Sequence, residues 1–96
     1  MTGVLLELSV KAELVDEFLD MMRQILPETR AYDGCKRFDV WVHNSNRRKV
    51  VLNEIWESEE KHAAYLAWRA ETGVLGKLVA FLDGPPDPQY FEVLAD

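Results

Sequence analysis

The sequence holds few of the residues on which several classes of protein depend. A single cysteine, Cys35, excludes an internal disulfide framework and a cysteine-based metal site. Five scattered glycines form neither a dinucleotide-binding fingerprint nor a phosphate-binding loop, so we expect no nucleotide cofactor. The two histidines, His43 and His62, lie far apart, and neither has a carboxylate at a ligand spacing, so we expect no metal.

Basic residues are in the minority, and long apolar runs are missing. Seventeen Asp and Glu against eleven Lys and Arg give a formal charge of -6, which opposes contact with a phosphate backbone. No apolar run approaches the ~20 residues of a membrane span, and no secretion signal follows Met1. We therefore expect a cytoplasmic protein without a nucleic-acid or membrane partner, in the reducing setting that a lone cysteine favours.

The composition that remains is that of an ordinary folded domain. Of the 96 residues, 48% are apolar and 29% are charged, which lies far from disordered or low-complexity chains. The length predicts one domain over residues 1–96.

Hydrophobic periodicity divides the chain into four strands and three helices. Alternation of apolar and polar residues predicts strands at 4–10, 35–43, 49–57 and 89–94. Apolar residues at intervals of three and four predict a first helix of about twenty residues from Leu14, which should kink or end early at Pro27. Ser58 caps a second helix that runs to Glu71, and a short apolar helix follows at 74–82.

The element order, β-α-β-β-α-α-β, is that of an α+β, ferredoxin-like split βαβ fold with one antiparallel sheet and helices on one face. The second and third strands carry apolar residues on both faces. One face has Trp41, Val51 and Ile55, and the other has Phe38, Val40, Leu52 and Trp56. Because the helices cover only one face, we expect a homodimer in which a second copy covers the other.

A stripe on the second helix is the best candidate for chemistry. His62, Tyr65, Leu66 and Arg69 fall on one helical face, which combines three hydrogen-bonding tips with an apolar side chain. The stripe either lines a pocket or edges the core, with Arg69 paired to Glu17 or another carboxylate. The residues alone leave both interpretations open.

Two residues at the end of the third strand are further candidates. Trp56 taken alone is better explained as a core anchor. Asn53 either satisfies a neighbour such as Asp39 or Arg37, or reaches an oxygen of a ligand. In a regular strand Asn53 and Trp56 point to opposite faces, so both line one pocket only if a bulge intervenes. Without a bulge, one of them belongs to the dimer interface.

Short motifs along nearly the whole chain resemble, in order and spacing, the antibiotic biosynthesis monooxygenase family. They are Thr29-Arg30, Gly34-Cys35, Asn53-Glu54-Ile55-Trp56 and Ser58-Glu59-Glu60. The resemblance implies a dimeric α+β barrel, in which two ferredoxin-like sheets pack face to face and each subunit keeps a pocket between its sheet and helices. The helix position nine after Trp56, often His in the family, is Tyr65 here. The haem-degrading branch is less similar, because its pocket Asn would fall at Leu6 and its helix His near Leu75.

The resemblance also implies an activity. Many members are oxygenases that use molecular oxygen to oxidise phenols or quinols to quinones without any cofactor, so we expect a small or polycyclic aromatic substrate. On this basis His62 is the candidate acid or base, Asn53 and Tyr65 donate to substrate oxygens, and Arg69 favours the anion. The residues expected to shape the substrate site are Trp56, Leu66, Leu6 and Leu75. The alternatives are an isomerase, lyase or cyclase acting on a related oxygenated ring, and a non-catalytic dimer that binds a small aromatic molecule.

Overall fold

A computed structural model, which describes residues 1–95, shows one antiparallel sheet with its helices on one face. The strands are β1 (Thr2–Ser9), β2 (Cys35–Val42), β3 (Lys49–Trp56) and β4 (Gln89–Glu92), and their order in the sheet is β2-β3-β1-β4. The helices are α1 (Val15–Ala31), α2 (Glu59–Glu71) and α3 (Val74–Ala80), with a 3-10 turn at Ala12–Leu14 before α1. The predicted ferredoxin-like α+β arrangement is confirmed.

Helix α1 does not end at Pro27, so the expectation of an early end is wrong. The helix continues to Ala31 with Pro27 inside it. Proline removes one backbone hydrogen bond, which costs about 3 kcal/mol in a helix interior. Pro27 lies on the exposed side, whereas Phe18, Met22 and other apolar residues of α1 are buried against the sheet. Each such side chain contributes about 1.5–3 kcal/mol, so their burial holds the helix together past the proline.

Helix α2 begins where the sequence predicts, and a glycine sets its distance from the sheet. The Ser58 side chain accepts a hydrogen bond from the backbone N–H of Lys61, which caps the first turn. Gly34, just before β2, has a φ of 91° and lies so close to Lys61 that an added Cβ would stand 2.6 Å from the Lys61 Cβ. Only glycine lets α2 approach β2 this closely.

The register of β1 and β3 decides which side chains meet the helices. Val4 lies opposite Glu54 and Leu6 opposite Leu52, and all four side chains point to the helix-covered side, the inner face. Trp56 shares this face, where it is fully buried.

The other side of the sheet, the outer face, carries apolar residues that no helix covers. Val51 and Ile55 of β3 are half-buried, and Trp41 and Phe91 are 52% and 51% exposed. Asn53 of β3 also lies here, paired with Leu5 of β1. The irregularity in the sheet falls in β2, between Cys35 and Arg37, so β3 keeps strict alternation and Asn53 faces away from the helices.

No helix within residues 1–95 is both long enough and apolar enough to cross a membrane.

Candidate active site

A small cavity lies between the inner face of the sheet and the three helices. Its water-accessible volume is about 70 Å³, and its wall is almost entirely apolar. The predicted site residues that line it are Leu6, His62, Tyr65, Leu66, Arg69 and Leu75. The stripe on α2 therefore faces a cavity, as one of its two interpretations requires.

Two predicted site residues lie outside this cavity. Asn53 is on the outer face, in a shallow depression with Leu5, Ile55 and Phe91, because β3 has no bulge to turn it inward. Its predicted role as a donor in the same site as Tyr65 is therefore wrong. Trp56 is on the inner face but does not line the cavity. Its ring packs behind the site, with centroids 5.4 Å from His62 and 5.1 Å from Tyr65.

The residue that sequence reasoning missed is Glu54. This carboxyl lines the cavity and is 3% exposed, and its Oε1 accepts a 2.8 Å hydrogen bond from the indole N–H of Trp56. Burial raises its pKa from 4.5 to about 7, and the bond from Trp56 offsets only part of that rise. The available signal was an acidic residue at the position of β3 that alternation assigns to the same face as Leu52 and Trp56.

His62 lies beside Glu54 and is equally buried. The imidazole is 2% exposed, with Nε2 at 3.6 Å from Oε1 of Glu54 and Nδ1 at 3.0 Å from the hydroxyl of Tyr90. Burial lowers the pKa of His62 from 6.5 to about 4, so the ring is neutral at pH 7. Between these two pKa values the proton belongs to the carboxyl, so the two groups form a neutral pair and no ion pair.

Tyr65 and Arg69 belong to a second polar group at the α1 side of the cavity. The Arg69 guanidinium, 3% exposed, donates from Nε to the Tyr65 hydroxyl at 3.0 Å. Its Nη2 donates to Thr29 Oγ1 at 3.0 Å and to the backbone oxygen of Ile25 at 3.2 Å. Thr29 Oγ1 also donates to that Ile25 oxygen, so the Tyr65 hydroxyl, 2.6 Å away, is the donor to Thr29. The only carboxylate near Arg69 within residues 1–95 is that of Glu28, at 3.8 Å and largely exposed.

The arrangement is suited to proton transfer in a dry cavity. A carboxyl with a pKa near neutrality can both accept and return a proton at physiological pH. Within residues 1–95, no cluster of three or more His, Cys, Asp or Glu side chains is placed to hold a metal ion.

The chain is similar to solved structures over nearly its whole length. A crystal structure named antibiotic biosynthesis monooxygenase has a TM-score of 0.87 at 19% identity, covering 99% of this chain and 100% of that one. A Mycobacterium tuberculosis protein has a TM-score of 0.85 at 16% identity, covering 99% and 96%. A conserved protein from Methanosarcina mazei Go1 has a TM-score of 0.83 at 21% identity, covering 94% and 89%. At these identities the likeness supports the fold.

A comparison with curated proteins found no match to this chain. The profile of the family described as antibiotic biosynthesis monooxygenase matches residues 1–73, which is well over half of the sequence. Together with the fold, this match shows that the chain belongs to the antibiotic biosynthesis monooxygenase family.

Proposed function

We propose that this protein is a cofactor-independent monooxygenase that oxidises a small phenol or quinol to a quinone with molecular oxygen. The observation that carries the proposal is the Glu54 carboxyl, buried in an apolar cavity with a pKa of about 7. Membership of the monooxygenase family supports it at the level of the family.

The chemistry begins with proton transfer. With a pKa of about 7, Glu54 is present in both protonation states near neutral pH, and the ionised carboxyl can accept the hydroxyl proton of a bound phenol. The resulting phenolate is a far stronger electron donor than the phenol, so it can reduce oxygen and combine with it as a ring peroxide. The apolar wall keeps water away from both reactants.

The overall reaction balances without another reductant. A ring carbon ortho or para to the phenolic oxygen carries one hydrogen and the peroxide. Its C–H bond and the O–O bond break, the C–H proton passes to the departing oxygen, and the C–O bond that remains becomes a carbonyl. One oxygen atom stays in the quinone and the other leaves as water, so the ring supplies all four electrons. The protonated Glu54 returns its proton to the departing oxygen, which restores the carboxylate.

Glu54 is a better proton acceptor than His62. A ring with a pKa of about 4 is a weak base at pH 7, whereas the carboxyl is matched to that pH. We therefore assign His62 to a supporting position beside the carboxyl, in place of the acid or base role expected from the sequence.

Tyr65 and Arg69 contribute through their position. Three of the hydrogen bonds that Arg69 can donate already go to Tyr65, Thr29 and Ile25, so the guanidinium is held in place by the protein. Its positive charge at the cavity wall would favour a phenolate over the neutral phenol.

The size of the cavity favours a single-ring substrate over a polycyclic one. Its volume of about 70 Å³ is less than half of the ~150 Å³ of an apolar cavity known to bind benzene. Leu75, Leu78 and Val79 of α3 form one wall, and none of the residues of this helix is fully buried. Outward movement of α3 is the simplest way to admit a ring.

Replacing the carboxyl tests the proposal. With a panel of single-ring phenols and quinols, the wild-type protein should consume oxygen and place one atom of labelled oxygen in the quinone. Glu54→Gln keeps the shape of the side chain but cannot accept a proton, so the rate should fall roughly 10²-fold or more. The measurements are oxygen-electrode traces and mass spectrometry of the product after reaction under ¹⁸O₂.

Glu60→Gln is the matched control, since Glu60 is exposed on α2 and away from the cavity, and it should keep the wild-type rate. Wild-type turnover by Glu54→Gln would rule out the carboxyl as the base. Binding of panel members without any oxygen consumption by the wild type would support the non-catalytic alternative.

We further propose that a second copy of the chain covers the outer face. Trp41 and Phe91 are half exposed there, on the same face as the half-buried Val51 and Ile55, so large apolar side chains remain uncovered on a sheet whose inner face is already packed. Trp41→Lys would place a charge in the interface and should convert the dimer to a monomer in light scattering. Ala67→Lys, on the exposed side of α2, should leave the mass unchanged. A monomeric wild type, or an unaltered mass of the Trp41 variant, would contradict this proposal.

A further inference from the structure

We infer that Tyr90 is a positioning residue whose hydroxyl donates to Nδ1 of His62, fixing the tautomer that presents an N–H to Glu54. The inference rests on the proposed function, since it assigns a residue that prepares the Glu54 carboxyl for proton transfer. Tyr90 lies on β4, a strand that carries none of the predicted site residues, and it does not line the cavity.

The argument starts from one oxygen of Glu54. Oε1 accepts the indole N–H of Trp56 at 2.8 Å, which makes it an acceptor whether or not the carboxyl carries a proton on Oε2. The Nε2 atom of His62 lies 3.6 Å from this same Oε1. An Nε2 without a hydrogen would turn its lone pair toward an oxygen lone pair. Electrostatics therefore favours the tautomer with the hydrogen on Nε2.

A hydrogen on Nε2 determines what Nδ1 needs. In the neutral ring the other nitrogen is an acceptor, so Nδ1 requires a donor. The Tyr90 hydroxyl lies 3.0 Å from Nδ1, and the two rings meet edge to face with centroids 5.5 Å apart. Burial and the nearby carboxyls of Glu59 and Glu54 raise the pKa of Tyr90, so its hydroxyl keeps its proton through the neutral range.

The sheet register places Tyr90, Val4 and Glu54 side by side on three neighbouring strands. Tyr90 of β4 pairs with Val4 of β1, and Val4 pairs with Glu54 of β3, all on the inner face. Val4 is only 2% exposed, and His62 reaches from α2 to touch the residues on both sides of it. The Tyr90 side chain is 41% exposed at the sheet margin, so it can be changed without opening the core.

The consequence for Glu54 is electrostatic. An N–H directed at Oε1 favours the carboxylate, which is the form that accepts a proton from substrate. If the ring adopted the other tautomer, a lone pair would face the carboxylate and disfavour it. Losing the Tyr90 hydroxyl should therefore raise the pKa of Glu54.

Nitrogen NMR of the substrate-free protein tests the inference. The chain has only two histidines, so a ¹⁵N–¹H correlation spectrum of the imidazoles resolves both. In the wild type, Nε2 of His62 should give a protonated signal and Nδ1 an unprotonated one. In Tyr90→Phe the ratio of the Nε2–H to the Nδ1–H form should fall roughly fivefold, as expected for the loss of one ordinary hydrogen bond.

Two controls are built into the chain. His43 is an internal reference, since its Nδ1 accepts hydrogen bonds from the backbone N–H groups of Ser45 and Asn46, and its signals should not move. Tyr32→Phe removes a hydroxyl from a ring that packs on Tyr65 and does not contact His62, and it should leave the His62 signals as they are. A carbon-detected titration of Glu54 in the same samples should show a higher pKa only in Tyr90→Phe.

The inference is overturned if wild-type His62 carries its proton on Nδ1, or if Tyr90→Phe changes neither the tautomer ratio nor the Glu54 titration. These readouts need no substrate, so they are separate from the oxygen-uptake test. Loss of the tautomer preference in Tyr90→Phe, together with no oxygen uptake by the wild type on any member of the panel, would uphold the role of Tyr90 and refute the proposed function.

Discussion

The Glu54→Gln variant should become more stable as the pH rises from about 4 to 6.5. The His62→Gln variant should become less stable as the pH rises from 4.5 to about 7. The opposite signs come from opposite pKa shifts. In the fold the pKa of Glu54 is raised to about 7, so above pH 4.5 the unfolded chain releases a proton that the folded chain retains. The pKa of His62 is lowered to about 4, so between about pH 4 and 6.5 the unfolded chain binds a proton at this residue and the folded chain does not.

In the wild type these two effects cancel over the range where they overlap. Between pH 4.5 and 6.5 the unfolded pair carries one proton on His62, and the folded pair carries one on Glu54. Because the folded and unfolded states then bind equal numbers of protons at this pair, the pair adds no pH dependence to the free energy of unfolding. Removing either partner exposes the slope of the other, up to about 1.4 kcal/mol per pH unit and about 3 kcal/mol across the range.

Urea unfolding at several pH values in this range measures the effect. Subtracting the wild-type free energy of unfolding from that of each variant removes the titration of all other groups. Glu60→Gln, a change of the same kind at an exposed position, is the control for the substitution itself. Parallel curves for Glu54→Gln and His62→Gln would mean that the two groups titrate normally in the fold.

Arg69→Ala should destabilise the protein by about 3 kcal/mol or more, whereas Glu28→Gln should change stability by less than about 0.5 kcal/mol. The Arg69 guanidinium is 3% exposed and bonds the Tyr65 hydroxyl, Thr29 Oγ1 and the Ile25 carbonyl. Hydrogen bonds from a charged group contribute about 1.5–3 kcal/mol each, and the alanine also leaves a void beside the cavity.

Glu28 is the matched comparison because it is the carboxylate nearest to the same guanidinium. Its side chain is 61% exposed at 3.8 Å, so solvent screens the pair and the contribution to stability is small. Denaturant unfolding of both variants at pH 7 separates the two sources of stability. A large loss in Glu28→Gln would show that an ion pair, and not the neutral network on α1, holds Arg69.

Local patterns in the sequence predict most of the fold because alternation and helical periodicity act over a few residues. The Ser58 cap and the strict alternation of β3 are examples, and both are present as expected. Pro27 is different, since its local preference is overcome by burial of α1 against a sheet that is distant in sequence. Rules based on neighbouring residues do not include the free energy of this long-range packing.

The site is harder to predict than the fold. The stripe on α2 follows from helical phase. Whether Asn53 or Glu54 faces the cavity, however, depends on whether β3 contains a bulge. The raised pKa of Glu54 depends on burial that is complete only when β1, β3 and α2 come together. The contact of Tyr90 with His62 joins residues on separate elements, and no spacing rule connects them.

The position of β4 has a consequence for how the acidity of the cavity can be changed. The strand lies beyond residues 1–73, the part of the chain that carries the family profile, and all of its residues are exposed. A single substitution in β4 would change the pKa of the buried Glu54 carboxyl while the cavity kept its shape. Evolution could therefore adjust reactivity and substrate fit independently.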